Sequence, residues 1–116
     1  MPIYNTDEKH LKEAIQSILD QTFTDFEFLI LNDSPENTKL DEIVKSYKDK
    51  RIKYSKNKEN LGITASRNKL IDMAKGEYLA VMDHDDISLP NRFEKRVEYL
   101  DQHMDVGVVG CKVEFP

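Results

Sequence analysis

Three carboxylates follow an apolar run within four positions, and this group is the best candidate for chemistry in the sequence. The run covers residues 77–82, Gly76 precedes it, and the carboxylates are Asp83, Asp85 and Asp86. Its length and composition favour a buried strand over a helix. Because carboxylates this close repel one another, a hard divalent cation with oxygen ligands would compensate them well.

A simpler interpretation makes these carboxylates solvated turn residues. Asp86 or Ser88 would then cap the helix that follows. The choice between the two interpretations depends on what else shares that edge of the fold.

The composition excludes several classes of protein. The chain has 116 residues, enough for one domain, and 39% of them are hydrophobic. The net charge of −5, with both signs mixed along the chain, argues against a nucleic-acid-binding face. No apolar run approaches the roughly 20 residues of a membrane span. The single Cys111 excludes an internal disulfide and a Cys-based zinc site, is typical of a small core residue, and fits a reducing, cytoplasmic setting.

Extended and helical patterns alternate along the chain, which predicts an α/β fold with a mostly parallel sheet. The predicted strands are a strand tail at 1–5 and full strands at 26–31, 52–54, 77–82 and 106–113. The predicted helices cover about 6–21, 38–47 and 63–75, and a fourth begins at Ser88. Gly76 is expected to cap the third helix, whose inward residues would be Leu70, Ile71 and Ala74.

Ligands of open α/β sheets bind at the carboxyl ends of the strands. Asp33 ends one predicted strand, and the pair Asp83 and Asp85 ends another. They would share an edge with the loop of Tyr4 and with the start of the third helix, which carries Arg67. An aromatic ring can stack on a base, a carboxylate can accept a base N–H, and a carboxylate-bound metal can hold a diphosphate. These are the ingredients of a nucleoside-diphosphate site.

Motifs typical of other metal-binding, nucleotide-binding or hydrolytic proteins do not match this sequence. A calcium loop beginning at Asp83 would have Ser88 in place of the required glycine, and Pro90 would fall inside the loop. The sequence has no Walker A motif, no Gly-x-Gly-x-x-Gly and no Gly-x-Ser-x-Gly elbow.

Three polar residues have ordinary interpretations when they are considered alone. His10 is expected on the surface, and the spacing of Arg67 favours an exposed side chain. His84 has no other histidine near it in sequence and is assigned no catalytic role.

Several short motifs, in their order, resemble the family 2 glycosyltransferases, which have the GT-A fold. They are Met-Pro-Ile-Tyr-Asn at 1–5, Ser-Ile-Leu-Asp-Gln-Thr-Phe at 17–23, Phe-Glu-Phe-Leu-Ile-Leu-Asn-Asp at 26–33, Asn-Leu-Gly-Ile-Thr-Ala-Ser-Arg-Asn at 60–68, Ala-Lys-Gly-Glu-Tyr at 74–78 and Met-Asp-His-Asp-Asp at 82–86. Each motif is weak alone, but together they cover essentially the whole chain.

The resemblance implies a Rossmann-like, mostly parallel sheet flanked by helices, in a truncated GT-A domain. Residues 1–116 would be the nucleotide-sugar-binding portion, with the acceptor half absent. Pro2 and Tyr4 would pack on the base, Asp33 would read it, and Arg67 would be the basic residue beside Asp33. Two departures from the family pattern are Asn32, where an aspartate is usual, and the turn at 34–37.

The resemblance also implies a metal site and a reaction. Asp83-His84-Asp85 would be the Asp-x-Asp motif, with Asp83 meeting the ribose or a metal-bound water and Asp85 binding Mn²⁺ or Mg²⁺. A sugar would pass from a nucleotide-diphosphate donor, a UDP-sugar, to an acceptor hydroxyl with inversion. The general base is expected downstream of residue 116, so this chain would hold no catalytic residue. The expected location is the cytoplasm, or the inner face of the membrane through parts outside this chain.

Two other functions stay open from the residues. A sugar-phosphate nucleotidylyltransferase shares the α/β layout and the use of a metal, but it usually carries a Gly-rich basic loop near its N-terminus, whereas residues 5–8 are acidic and lack glycine. A non-catalytic nucleotide-binding module would bind tightly without turnover. The sugar, the acceptor and the oligomeric state are not determined by the sequence.

Overall fold

The computed structural model describes residues 1–103, which form a parallel three-stranded sheet with four helices. The strands are β1 (Pro2–Ile3), β2 (Phe28–Asn32) and β3 (Ile52–Lys56), in the order β1-β2-β3. The helices are α1 (Glu8–Leu19), α2 (Thr38–Ser46), α3 (Ile63–Met73) and α4 (Arg92–Gln102). The predicted α/β class is confirmed. The strand predicted at 106–113, with Cys111, lies outside the described residues.

The central strand β2 has a parallel neighbour on each side. Its register with β3 runs from Phe28 opposite Ile52 to Asn32 opposite Lys56, and Ile3 of β1 also lies opposite Asn32. Both faces of a central parallel strand are covered, which explains why β2 is apolar at nearly every position.

Two amphipathic helices supply much of the core, as their patterns predict. Asp7 caps α1 by accepting from the backbone N–H groups of Lys9 and His10. The inward stripes of α1 and α2 are buried, and the two helices contact each other. The buried residues are Leu11, Ala14, Ile15 and Ile18 of α1 and Leu40, Ile43 and Val44 of α2.

Residues 77–82 do not form the predicted strand. Leu79 is 57% exposed and Val81 is 66% exposed, while Met82 is buried against the core. A strand needs a hydrogen-bonded neighbour, and in the described part of the chain none of the three strands pairs with this segment. The carbonyl of Val81 instead accepts a hydrogen bond from the Arg92 guanidinium at 2.6 Å.

The predicted end of the third helix is also wrong. The helix α3 ends at Met73 with Ala74 as its cap residue, so Gly76 does not cap it. Leu70 is buried as predicted, but Ile71 is 55% exposed because α3 packs through a narrower face, on β1 and β2.

Ser88 does not cap α4, which begins four residues later at Arg92. The Ser88 hydroxyl contacts Met82 and accepts from the Arg92 guanidinium. The first turn of α4 is held instead by Gln21, a buried residue distant in sequence. The Gln21 amide oxygen accepts from Phe93 N–H at 3.0 Å, and its amide nitrogen donates to Leu89 O at 2.7 Å.

No helix among residues 1–103 is long and apolar enough to cross a membrane.

Candidate functional site

A cleft of about 400 Å³ opens where β1 and β2 end and α3 begins. Tyr4 follows β1 directly, Asp33 follows β2, and Ile63 is the first residue of α3. The structure therefore brings the Tyr4 loop, Asp33 and the start of the third helix together at one sheet edge. The lining residues are Pro2, Ile3, Tyr4, Asp33, Asn60, Gly62, Ile63, Ser66 and His84.

The carboxylate of Asp33 lines this cleft, and hydrogen bonds hold it in one orientation. It is only 4% exposed. One carboxylate oxygen accepts from Leu61 N–H and from the Asn57 amide, both at 2.8 Å, and the other accepts from Gly62 N–H at 2.9 Å. Burial alone would raise the pKa of Asp33, but these hydrogen bonds outweigh burial and hold the pKa below its usual value. The side chain is therefore an ionised acceptor with its orientation set.

The loop between β3 and α3 is built around that carboxylate. Asn57 is buried, and its amide also donates to the Ser66 hydroxyl and accepts from the Lys69 ammonium group. Gly62 has a φ of 89°, a left-handed conformation that glycine adopts without strain. This conformation lets two consecutive N–H groups, those of Leu61 and Gly62, reach Asp33.

Asn32, the departure from the family pattern, has a physical reason. Its amide oxygen accepts from the N–H and the hydroxyl of Ser34, and its amide nitrogen donates to the Tyr54 hydroxyl at 3.1 Å. Tyr54 gives its single proton to Asp41, which also pairs with Lys56 at 2.9 Å. Burial and the bond to Asp41 raise the pKa of Tyr54, so the phenol stays protonated. Residue 32 must therefore donate to Tyr54, which an amide can do and a carboxylate cannot.

Arg67 and Asp83 form an ion pair beside the cleft. Arg67 Nη2 lies 2.5 Å from an Asp83 carboxylate oxygen, and both side chains are about two-fifths exposed. The side-chain partner that the structure gives Arg67 is thus Asp83 and not Asp33, the residue beside which the resemblance placed it. Arg67 Nε is buried without a partner among the described residues.

The remaining acidic residues of the loop extend outward. Asp85 and Asp86 are exposed, and Asp86 N–H donates to the Asp83 carbonyl at 3.2 Å. The loss of some solvent around the Asp86 carboxyl, together with the charges of Asp83 and Asp85, raises the pKa of Asp86. The loop therefore carries an excess of negative charge.

The structure adds residues to which the sequence assigned no role. Asn57, Asn60 and Ser66 hold Asp33 or line the cleft, and His84 lies in its wall. Asn60 and Ser66 belong to the motif at 60–68, but a polar residue in a loop or within a helix carries no apolar periodicity that marks it in advance. The roles predicted for Pro2, Tyr4, Asp33, Arg67, Asp83 and Asp85 stay predictions.

Comparison with known proteins identifies the family. The model of the glycosyl transferase family 2 matches residues 1–115, and the chain belongs to that family. This membership confirms the predicted resemblance and favours a glycosyltransferase over a nucleotidylyltransferase.

Relatives and solved structures agree. An uncharacterized glycosyltransferase of Methanocaldococcus jannaschii is 49% identical over 99% of this chain, which covers 40% of that relative. The minor teichoic acid biosynthesis protein GgaB of Bacillus subtilis is 35% identical over 99% of this chain, which covers 13% of GgaB. The structure of S. aureus TarS 1-349 in complex with UDP matches 89% of this chain and 31% of that chain, with a TM-score of 0.79 and 29% identity. The GT-A-type fold is thereby confirmed.

Proposed function

We propose that this chain binds the nucleotide-sugar donor of a glycosyltransferase and that the donor is a UDP-sugar. The observation that carries this proposal is the cleft at the carboxyl ends of β1 and β2, where a fixed carboxylate lies near an aromatic ring. Tyr4 is 51% exposed and could stack on a base, while Asp33 lines the same cleft and could accept a base N–H. The fold shared with TarS, a protein whose structure was determined with UDP, supports uridine as the base.

We further propose that Asp85, with Asp83, holds Mn²⁺ or Mg²⁺. Among the described residues no three His, Cys, Asp or Glu side chains gather into a ready-made metal site. The residues nonetheless fit a cation that takes one or two carboxylates and completes its shell with phosphate and water oxygens, as Mg²⁺ does. The sequence supports this, because Asp83, Asp85 and Asp86 place three carboxylates within four positions, and a cation would offset their negative charge. When bound, such a cation would stabilise the charge on a departing diphosphate.

The chain's own residues would orient the donor. Asp33 would fix the base, the Tyr4 ring would cover it, and the Arg67 ion pair would hold Asp83 in place. Sugar transfer to an acceptor hydroxyl, with inversion, would be completed by a general base in a part of the protein beyond these 116 residues. Supporting this, the chain spans 40% of the archaeal relative. We therefore expect residues 1–116 to bind donor but to transfer sugar poorly or not at all.

Calorimetric titration of UDP, with and without Mn²⁺, tests this proposal. We expect metal-dependent binding that Asp85→Ala abolishes. The matched control is Asp72→Ala, which removes an exposed aspartate of α3 outside the cleft. If the folded chain binds no UDP with Mn²⁺, the proposed donor site is wrong for this chain. If GDP binds more tightly than UDP, the proposed base is wrong.

A further inference from the structure

His84 is held in the cleft wall by a contact between residues that are distant in sequence. Its Nδ1 lies 2.5 Å from the hydroxyl oxygen of Thr6, which is only 7% exposed. The same hydroxyl oxygen accepts from Tyr4 N–H at 3.3 Å. The contact therefore joins the loop after β1 to the acidic loop that contains Asp83 and Asp85.

The hydrogen-bonding capacity of Thr6 determines which ring nitrogen of His84 carries the proton. If Nδ1 carried it, Nδ1–H would donate to Thr6 and the buried Thr6 hydroxyl proton would need another acceptor. The described residues provide Thr6 with none, and an unsatisfied buried hydroxyl is costly. Thr6 O–H therefore donates to Nδ1, and the neutral imidazole carries its proton on Nε2.

The other ring nitrogen is then a donor for a ligand. Within the described part of the chain, the structure gives His84 no hydrogen-bond partner besides Thr6, although His84 lines the cleft. Among the described residues that line the cleft, Asp33 is a carboxylate and none is a lysine or an arginine, and Arg67 beside the cleft is paired with Asp83. A diphosphate placed there needs hydrogen-bond donors, and His84 precedes Asp85, the proposed cation ligand, by one residue.

We propose that His84 is a further donor-binding residue, whose Nε2–H binds a phosphate oxygen of the nucleoside diphosphate, and that Thr6 is the positioning residue that selects this tautomer. The inference rests on the proposed function for the identity of the ligand. The assignment of the tautomer does not depend on it.

The tautomer is tested first, by long-range ¹H–¹⁵N spectra of the full chain at pH 8. His84 is expected to show a protonated Nε2 and an unprotonated Nδ1. His103 provides an opposite internal reference, because its Nδ1 lies 2.8 Å from the Tyr99 carbonyl, which can only accept. Thr6→Ser should keep the His84 pattern, and Thr6→Val should lose it. A protonated Nδ1 on His84 in the wild-type chain overturns the assignment.

Binding is tested next, by titrating UDP with Mn²⁺ into folded variants. His84→Ala should lower the affinity about tenfold, since a hydrogen bond to a charged phosphate is lost. His84→Gln should recover part of the loss, because its amide nitrogen can replace Nε2–H. His10→Ala, an exposed histidine of α1, is the control and should bind as the wild type does.

Different outcomes would overturn the proposed donor site and the proposed role of His84. If the wild-type chain binds UDP and His84→Ala binds it equally well, the role of His84 is wrong and the donor site stands. If the wild-type chain binds no UDP, the donor site is wrong and the phosphate role of His84 falls with it, whichever tautomer the spectra show.

Discussion

The strand β2 and the segment 77–82 have similar sequences and different structures. Both are mostly apolar runs that a carboxylate follows, Asp33 after β2 and Asp83 after residue 82. Ile30 and Leu31 of β2 are fully buried, whereas Leu79 and Val81 are more than half exposed. The difference lies in the neighbours: β2 is hydrogen-bonded on both sides, and residues 77–82 have no strand beside them within the described residues. An apolar run becomes a strand only where another strand takes its backbone groups.

The two regions are consequently held by different interactions. The sheet region shares one core with α1 and α2. Met82 and Phe93 pack on that core, and the rest of the segment after α3 is held by individual polar bonds, among them Arg92 to the Val81 carbonyl, Gln21 to the turn before α4, and the Tyr78 hydroxyl to Asp101 at 2.5 Å. The packing of α4 is loose by comparison, and none of its residues is fully buried.

The largest expected effect comes from truncating one apolar side chain in each of the two regions. Ile30→Ala removes a fully buried side chain from the core and should cost about 2–5 kcal/mol of the free energy of unfolding. Val81→Ala removes an exposed one and should change it by less than about 0.5 kcal/mol. Urea unfolding followed by circular dichroism measures both. A Val81→Ala cost close to that of Ile30→Ala would show that residues 77–82 are packed and that the contrast is wrong.

A smaller loss of stability is expected when a side-chain hydrogen bond inside the sheet region is removed. Asn32→Asp presents two carboxylates to the single Tyr54 proton, and we expect it to destabilise the fold by about 1–3 kcal/mol. Adding Asp41→Asn reverses the bond direction, because the amide introduced at position 41 can donate to the Tyr54 hydroxyl while that hydroxyl donates to the carboxylate introduced at position 32. Urea unfolding of the double variant should recover part of the loss. If the two costs simply add, the direction of this hydrogen-bond chain does not dictate the residue at position 32.

The smallest expected effect is on the pH dependence of the free energy of unfolding. Asp33 in the sheet region and Asp86 after α3 contribute to it with opposite sign. The pKa of Asp33 is lowered in the folded chain, so below about pH 4 the unfolded state binds more protons and stability rises with pH. This contribution is present above the usual aspartate pKa and is lost as the pH falls through the lowered one. The pKa of Asp86 is raised, so its ionisation slightly disfavours the folded state.

Urea midpoints between pH 2 and pH 7 separate these two contributions. Asp33→Asn should flatten the acid limb of the stability curve, while Asp86→Asn should steepen that limb slightly and raise stability slightly at neutral pH. An unchanged acid limb in Asp33→Asn would show that its hydrogen bonds do not favour the ionised form.

Much of the fold is predictable wherever the pattern of a segment is matched by nearby partners. The stripes of α1 and α2 and the buried strand β2 follow from periodicity. The meeting of Tyr4, Asp33 and α3 at one sheet edge follows from parallel topology. The strand predicted at 77–82 and the caps predicted at Gly76 and Ser88 are wrong, because each depended on neighbours that local sequence does not specify.

By itself the sequence determined the α/β class, the inward faces of α1 and α2, and the family, since these depend on periodicity and on ordered motifs. Only the tertiary structure decided which groups pair across long separations: Gln21 with Phe93, Arg67 with Asp83, and Thr6 with His84. The physical reason is that a side chain's hydrogen-bonding capacity is set by its type, whereas its partner is set by where the backbone places it.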